Sequence, residues 1–311
     1  MKYDNFENFL SSLDESNNEI ISRLEDLRAR FRKEFFKENI IVLIYDVIIL
    51  LIIKTISFYT LFALAGLDFF IFLLNSVIKW GHTETKKLNS DYKEKVVSKL
   101  LENFIEELDY VPLKGMPKSI YNESEYDNHY DLYRSEDYFE GKINNQKIIM
   151  SDLIVEEEVE EKNKDGEEET HIRTVFKGFF GKIDLNKAIN SDLIIRNSYG
   201  LSFTKNKKVE MDSYDFEERF NVYSDNNIVA MQLLTADIQE DILELYNKYK
   251  IRFYLHIKND KLYVLFETDN MFELFYDKKN PNIALEKYFA VMTFVYKLVS
   301  KIQDTVNSTP V

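Results

Sequence analysis

The sequence predicts an α+β chain: a two-helix transmembrane hairpin with helical flanks, followed by a mainly antiparallel sheet packed with helices. Three observations carry this. A nearly unbroken apolar run lies between Ile40 and Trp80, apolar residues recur three and four apart on either side of it, and from about Tyr110 short segments alternate in polarity around turn signals. They divide the chain into a coiled-coil-like amphipathic helix over 1–38, the hairpin over 39–80, a helical connector over 81–109 and an α+β domain over 110–311.

In the first helix Phe6, Leu10, Leu13, Ile20, Leu24, Leu27 and Phe31 form a heptad seam, with Asn17 filling the one gap. A polar residue at one seam position fixes register in a parallel dimer, so self-association through this helix is one expectation. The other is that the connector, with its stripe of Val97, Leu100, Leu101, Phe104, Ile105 and Leu108, folds back antiparallel on it as an intramolecular stalk.

Between these helices only Asp46, Lys54, Asp68 and Asn75 are strongly polar. One span needs about 20 residues, so the stretch fits two spans joined by a turn near Lys54 to Tyr59. Arg28, Arg30, Arg32, Lys33 and Lys37 precede the first span, and Lys79, Lys86 and Lys87 follow the second, which places both termini on the cytoplasmic side. The lipid bilayer is therefore an expected partner. A turn centred on Ser57 puts Asp46 and Asp68 at equal depth, a candidate intramembrane pair that could share a proton, hydrogen-bond across the hairpin or serve a relay. The N-terminus is polar and acidic, unlike a cleaved signal peptide, so the first apolar segment should stay in the mature protein.

In the C-terminal domain, two strands flank Asn144-Asn145, a third follows the charged NKDGEE turn, and SDLIIR could add another. Thr235 reads as the N-cap of a helix with Ile238, Ile242 and Leu245 on one face. A hairpin is expected around Asn259-Asp260, and a last amphipathic helix from about Asn282 to Val306.

Composition narrows the functions. With 54 acidic against 40 basic side chains and a net charge of −14, the chain has no electrostatic footprint for nucleic acid. The absence of cysteine excludes disulfides, thiolate zinc sites and cysteine nucleophiles. Richness in Asn, Lys, Ile, Tyr and Phe matches the bias of AT-rich bacterial genomes. His82, His129, His171 and His256 are scattered without metal-site spacing, and no phosphate loop or GxSxG elbow occurs, so no catalytic residue, metal or cofactor is assigned. Two groups are candidates for facing a ligand. Gly178 and Gly181 in FKGFFG could let a ligand approach the backbone, although such glycines also mark strand bulges. Asp215, Glu217 and Glu218 in SYDFEERF could form an acid-base or cation site, and suit a solvated helix start equally well.

The ordered blocks Glu-Gly-Lys-Ile (140–143), VFKGFFGKIDLNK (175–187), VEMDSYDFEERFNVYSDN (209–226), MQLLTADIQEDILEL and KLYVLFE resemble the bacterial family catalogued as domain of unknown function 3137. The resemblance runs from about Asp91 to Phe275, and the hairpin ahead of it is similar to that family's usual layout. It implies a membrane-associated protein without catalytic residues to carry over. The acidic stretch Glu156 to Glu169 departs from the family's more basic versions. The expected function is membrane-anchored binding of a protein partner or ligand by a cytoplasmic domain. A membrane-surface enzyme or a transport component built from oligomerised hairpins is the alternative.

Overall fold

In chain order, the computed structural model places α1 (Phe6–Ser12), α2 (17–30), α3 (Glu84–Tyr92), a π-helical turn (Lys93–Val97), α4 (Ser98–Phe104), β1 (Glu106–Val111), α5 (Lys118–Glu123) and β2 (Leu132–Ile143). These are followed by β3 (Gln146–Lys162), β4 (Glu168–Asn197), β5 (Lys207–Val209), α6 (Tyr214–Arg219), β6 (Phe220–Ser224), α7 (Asn227–Leu233), α8 (Ala236–Tyr249), β7 (Arg252–Glu267) and α9 (Pro281–Ser308). The structure describes residues 1–13, 17–30, 33, 84–162, 168–198, 205–274 and 281–308. The hairpin over 39–80, with Asp46 and Asp68, lies outside the described residues. Among those described, no helix is long and apolar enough to cross a membrane.

Two units make up the fold: residues 1–11, 98–273 and 282–311 form one, and 12–97 with 274–281 the other. In the smaller unit, Leu13, Asn17, Ile20 and Leu24 of the seam are buried, as are Leu88, Tyr92, Val96 and Val97. Arg23 Nη1 lies 2.6 Å from Asp91 Oδ2, and Lys95 Nζ lies 3.7 Å from Glu19 Oε2. Residue numbers rise on one helix as they fall on the other, so α3 and the π-helical turn run antiparallel to α2, while Leu100, Leu101, Phe104, Ile105 and Leu108 of the expected stripe belong to the larger unit. The long first helix expected from the heptad pattern is interrupted: α1 ends at Ser12, and Phe6 and Leu10 of the seam belong to the larger unit.

The larger unit is built on a seven-stranded sheet whose order is β1-β2-β3-β4-β6-β5, with β7 on β4; every pairing is antiparallel. Asn144 and Asn145 have φ of 50° and 65° and join β2 to β3 with Ile143 opposite Gln146, the two-residue turn the sequence signals. Asparagine tolerates this left-handed conformation because its short amide bonds locally.

The 30-residue β4 unites the third predicted strand with SDLIIR. It pairs with β3 and β7 over 178–183, and with β6 and β7 over 193–196. The expected hairpin around Asn259-Asp260 does not form. Ile257 and Leu262, which would face each other, pair with Leu193 and Ile183 of β4, so β7 runs on as one strand. A type I′ turn needs two consecutive left-handed residues, and here only Asn259 (φ 55°) has that conformation. It marks a register shift instead, opposite a longer stretch of β4 that contains left-handed Asn186.

Side chains on neighbouring strand positions enter different layers, and both are apolar. Phe179 stacks on Phe139 with centroids 5.8 Å apart, and Phe266 meets Phe294 of α9 edge-on at 5.9 Å. The next residue, Phe180, points the other way to Tyr121 of α5 at 5.7 Å, within a cluster holding Phe176, Tyr254, Tyr263 and Leu265. The predicted last helix is α9. Thr235 stands before α8 as expected, yet its hydroxyl donates to Asp237 rather than capping a backbone N–H.

Candidate functional site

The residues singled out in the sequence do not converge. Gly178 is in β4 with φ 149°, and a side chain there would collide with the Phe266 carbonyl of β7. At Gly181 an added Cβ would lie 2.9 Å from Met150 and 3.0 Å from Val264. Both glycines thus let strands approach one another. Asp215, Glu217 and Glu218 lie on α6: Glu217 Oε1 accepts from the Met211 N–H at 2.8 Å, and Glu218 pairs with Arg219 at 2.7 Å. Asp215 contributes its carbonyl to the Arg219 guanidinium at 3.2 Å.

A cleft of about 290 Å³ opens in the larger unit between α8, α9 and the N-terminal segment. Its aromatic lining comes from Phe6, Tyr249, Phe289 and Phe294. Phe289 is nearly buried because Phe9 stacks on it at 5.5 Å while Phe6 and Phe104 meet its edges at 5.8 and 5.2 Å. The N-terminal wall is held by Asn103, itself 2% exposed. Its side-chain oxygen accepts the N–H groups of Lys2 and Tyr3 at 3.0 and 2.6 Å, and its amide donates to the Tyr3 carbonyl at 3.1 Å.

Charged groups around this lining are largely tied in place. Lys248 Nζ donates to Glu286 Oε1 at 2.9 Å, and the Tyr249 hydroxyl donates to the same oxygen at 3.1 Å. Contact with Tyr249 and Glu286 raises the Lys248 ammonium above its ordinary range, and the Lys248 hydrogen bond lowers the Glu286 carboxyl. Across the cleft Asp241 receives Lys297 at 3.4 Å and Lys301 at 2.7 Å. The result is an apolar floor with oriented polar groups at its rim, the composition of a ligand site.

Two further constellations lie elsewhere in the larger unit. Among the described residues, Glu136, Asp137 and Glu273 bring carboxylate oxygens within 4.8 Å of one another and could hold a cation. The Tyr110 hydroxyl donates to Asp137 at 2.6 Å and the Asn270 amide to Glu136 at 2.8 Å. Burial and then Asp137 push the Tyr110 hydroxyl far above its ordinary range, so it stays a donor. Asp137 reaches this place through a bulge in β2, where its φ is 57° and its N–H turns to the Pro112 carbonyl. His256, fully buried on β7, bridges the Ser124 carbonyl at 2.9 Å and Asp192 Oδ1 at 2.8 Å, and its hydrogen bond lowers the Asp192 carboxyl.

Sequence reasoning missed the cleft because its walls come from residues 4–6, 241–249 and 286–297, which share no local motif. The available signal was Phe6 and Phe9, of which the heptad pattern absorbed Phe6 and passed over Phe9.

Among proteins of curated function, none matches the chain in sequence. One solved structure, described as "crystal structure of the mycobacterial trehalose monomycolate transport factor A, TtfA", aligns with a TM-score of 0.37 and 10% identity. That alignment covers 65% of this chain and 89% of the mycobacterial one. The family described as "Protein of unknown function (DUF3137)" matches over residues 174–303, from the middle of β4 to the last turns of α9. Over this stretch the chain is similar to the DUF3137 family.

Proposed function

We propose that the chain is a binding protein whose larger unit takes a small ligand in the cleft between α8, α9 and the N-terminal segment, and that residues 40–80 anchor it in a bacterial membrane. The observation that supports ligand binding is the aromatic floor formed by Phe6 and Phe289 beneath rim charges already oriented by hydrogen bonds. Such a site loses little side-chain entropy when it is filled. The membrane part rests on the apolar run and the basic residues flanking it.

A compound screen on the detergent-extracted full chain, read as thermal shift, tests the cleft. Thr293→Trp, which fills it from α9, should abolish every shift the wild type shows; shifts that survive place the ligand elsewhere. Alkaline carbonate extraction tests the anchor, and release of the chain into the supernatant would remove that part of the proposal.

A second reading, docking of a protein partner, is supported at a different place. Tyr214 is 78% exposed on α6, and Ile228 and Met231, one turn apart on α7, are 70% and 48% exposed. Of these, Met231 lines a concavity of about 500 Å³ whose walls also include Met211, Leu234 and Leu243.

A further inference from the structure

The cleft's charges differ in whether they already have a counter-ion. Of its two lysines, Lys248 is taken up by Glu286 and Lys297 by Asp241, which also receives Lys301. Four carboxylates line the same space: Asp4, Asp241, Glu244 and Glu286. Among the described residues, Glu244 makes no ion pair, and Asp4 accepts only the Asn5 and Asn8 side-chain amides, at 3.4 and 3.5 Å. After internal pairing the rim therefore carries two carboxylates without a cation and no lysine without an anion. The half-buried ring of Phe6 shares this lining, an aromatic surface that attracts a cation and an apolar body that favours an organic one, and Phe289 packs against it with only 5% of its surface exposed.

We infer that the cleft selects a small organic amine: a molecule with a primary ammonium head for Glu244 and Asp4 and an apolar body, about one ring in size, for the Phe6–Phe289 floor. This rests on the cleft being a ligand site, as proposed above. An anionic ligand of the same size meets two uncompensated carboxylates and is rejected. A neutral one keeps the apolar contact and loses the charge contact. The N-terminal segment contributes to this selection directly, because Asp4 and Phe6 belong to the strap that Asn103 holds.

Three probes with the same phenyl body separate charge from shape: phenethylammonium, phenethyl alcohol and phenylacetate. Ligand-observed NMR titrations of the full chain in nanodiscs of neutral lipid give their affinities, with empty nanodiscs as the partitioning control. Phenethylammonium should bind roughly tenfold tighter than the alcohol, with phenylacetate weakest. Glu244→Gln, a change at an exposed side chain, should shrink the preference for the ammonium over the alcohol. Equal binding of all three probes, or an unchanged preference in Glu244→Gln, overturns the charge selection and leaves the cleft as a ligand site. Absence of binding by all three overturns the cleft reading itself.

Discussion

The side chain of Asn103 grips the backbone of Tyr3 from both sides, accepting its N–H at 2.6 Å and donating to its carbonyl at 3.1 Å. A carboxamide offers an acceptor and a donor in one plane, which is what a peptide unit presents in return. Asn103→Ala should therefore detach the N-terminal strap without unfolding the sheet. The expected loss is about 1 to 3 kcal/mol, the cost of leaving buried polar groups unmatched. Hydrogen exchange would check it: residues 2–12 should lose protection while β3, β4 and β7 keep theirs. Equal loss in both would show that the strap is not a separable element.

Gly178→Ala should be among the most damaging small substitutions in the chain. The backbone there has φ 149°, and an added methyl would enter the space of the Phe266 carbonyl between paired strands. Strain and clash together should cost about 3 kcal/mol or more. Urea denaturation measures it; a cost under about 1 kcal/mol would mean that β4 and β7 can separate locally at no great expense.

Acid should loosen the link between α8 and α9 in a defined window. Hydrogen bonds from Lys301 and Thr235 lower the Asp237 carboxyl from 3.8 to about 2. Because the folded value lies below the unfolded one, this contribution is fully present above about 3.8 and is lost as the pH falls towards about 2. Asp237 is exposed, so the effect is small and shrinks with salt. Asp237→Asn should be slightly less stable than wild type at pH 6, with the gap closing as the pH is lowered to 3 in low-salt urea titrations.

His256→Leu should cost about 2 to 4 kcal/mol, because it strands the buried Ser124 carbonyl and removes the donor to Asp192. The segment after α5 hangs on that carbonyl, so it should become open to protease before the sheet does. Carbon-detected titration offers a second readout: the Asp192 carboxyl should rise towards the ordinary range once His256 is gone.

Where local chemistry decides the structure, the sequence shows it. Asn144-Asn145 specifies a turn by the conformation of two residues, and the 3.6-residue apolar period of α9 survives because a helix repeats it for seven turns. The Asn259-Asp260 hairpin reads wrongly because one left-handed asparagine looks the same in sequence whether the strand turns back or only shifts register. The difference is made by β4, far away in sequence, which offers a partner to both halves of β7. The antiparallel stalk was open between two readings, and opposite charges at Arg23 and Asp91 are visible in sequence only once the pairing is known. The cleft and the Glu136–Asp137–Glu273 group are assembled from distant segments, so neither leaves a motif.

The length of β4 bears on how the chain can be cut. The family model matches residues 174–303, yet a fragment starting there would begin inside a strand, with the 178–183 stretch stripped of β3. Its freed N–H and C=O groups lie between Phe176, Phe179, Phe180 and Ile183, an open apolar edge of the kind that recruits other chains. The unit of sequence relatedness is thus smaller than the unit that can stand in water: a soluble fragment would have to reach back through β3 and β2 to β1.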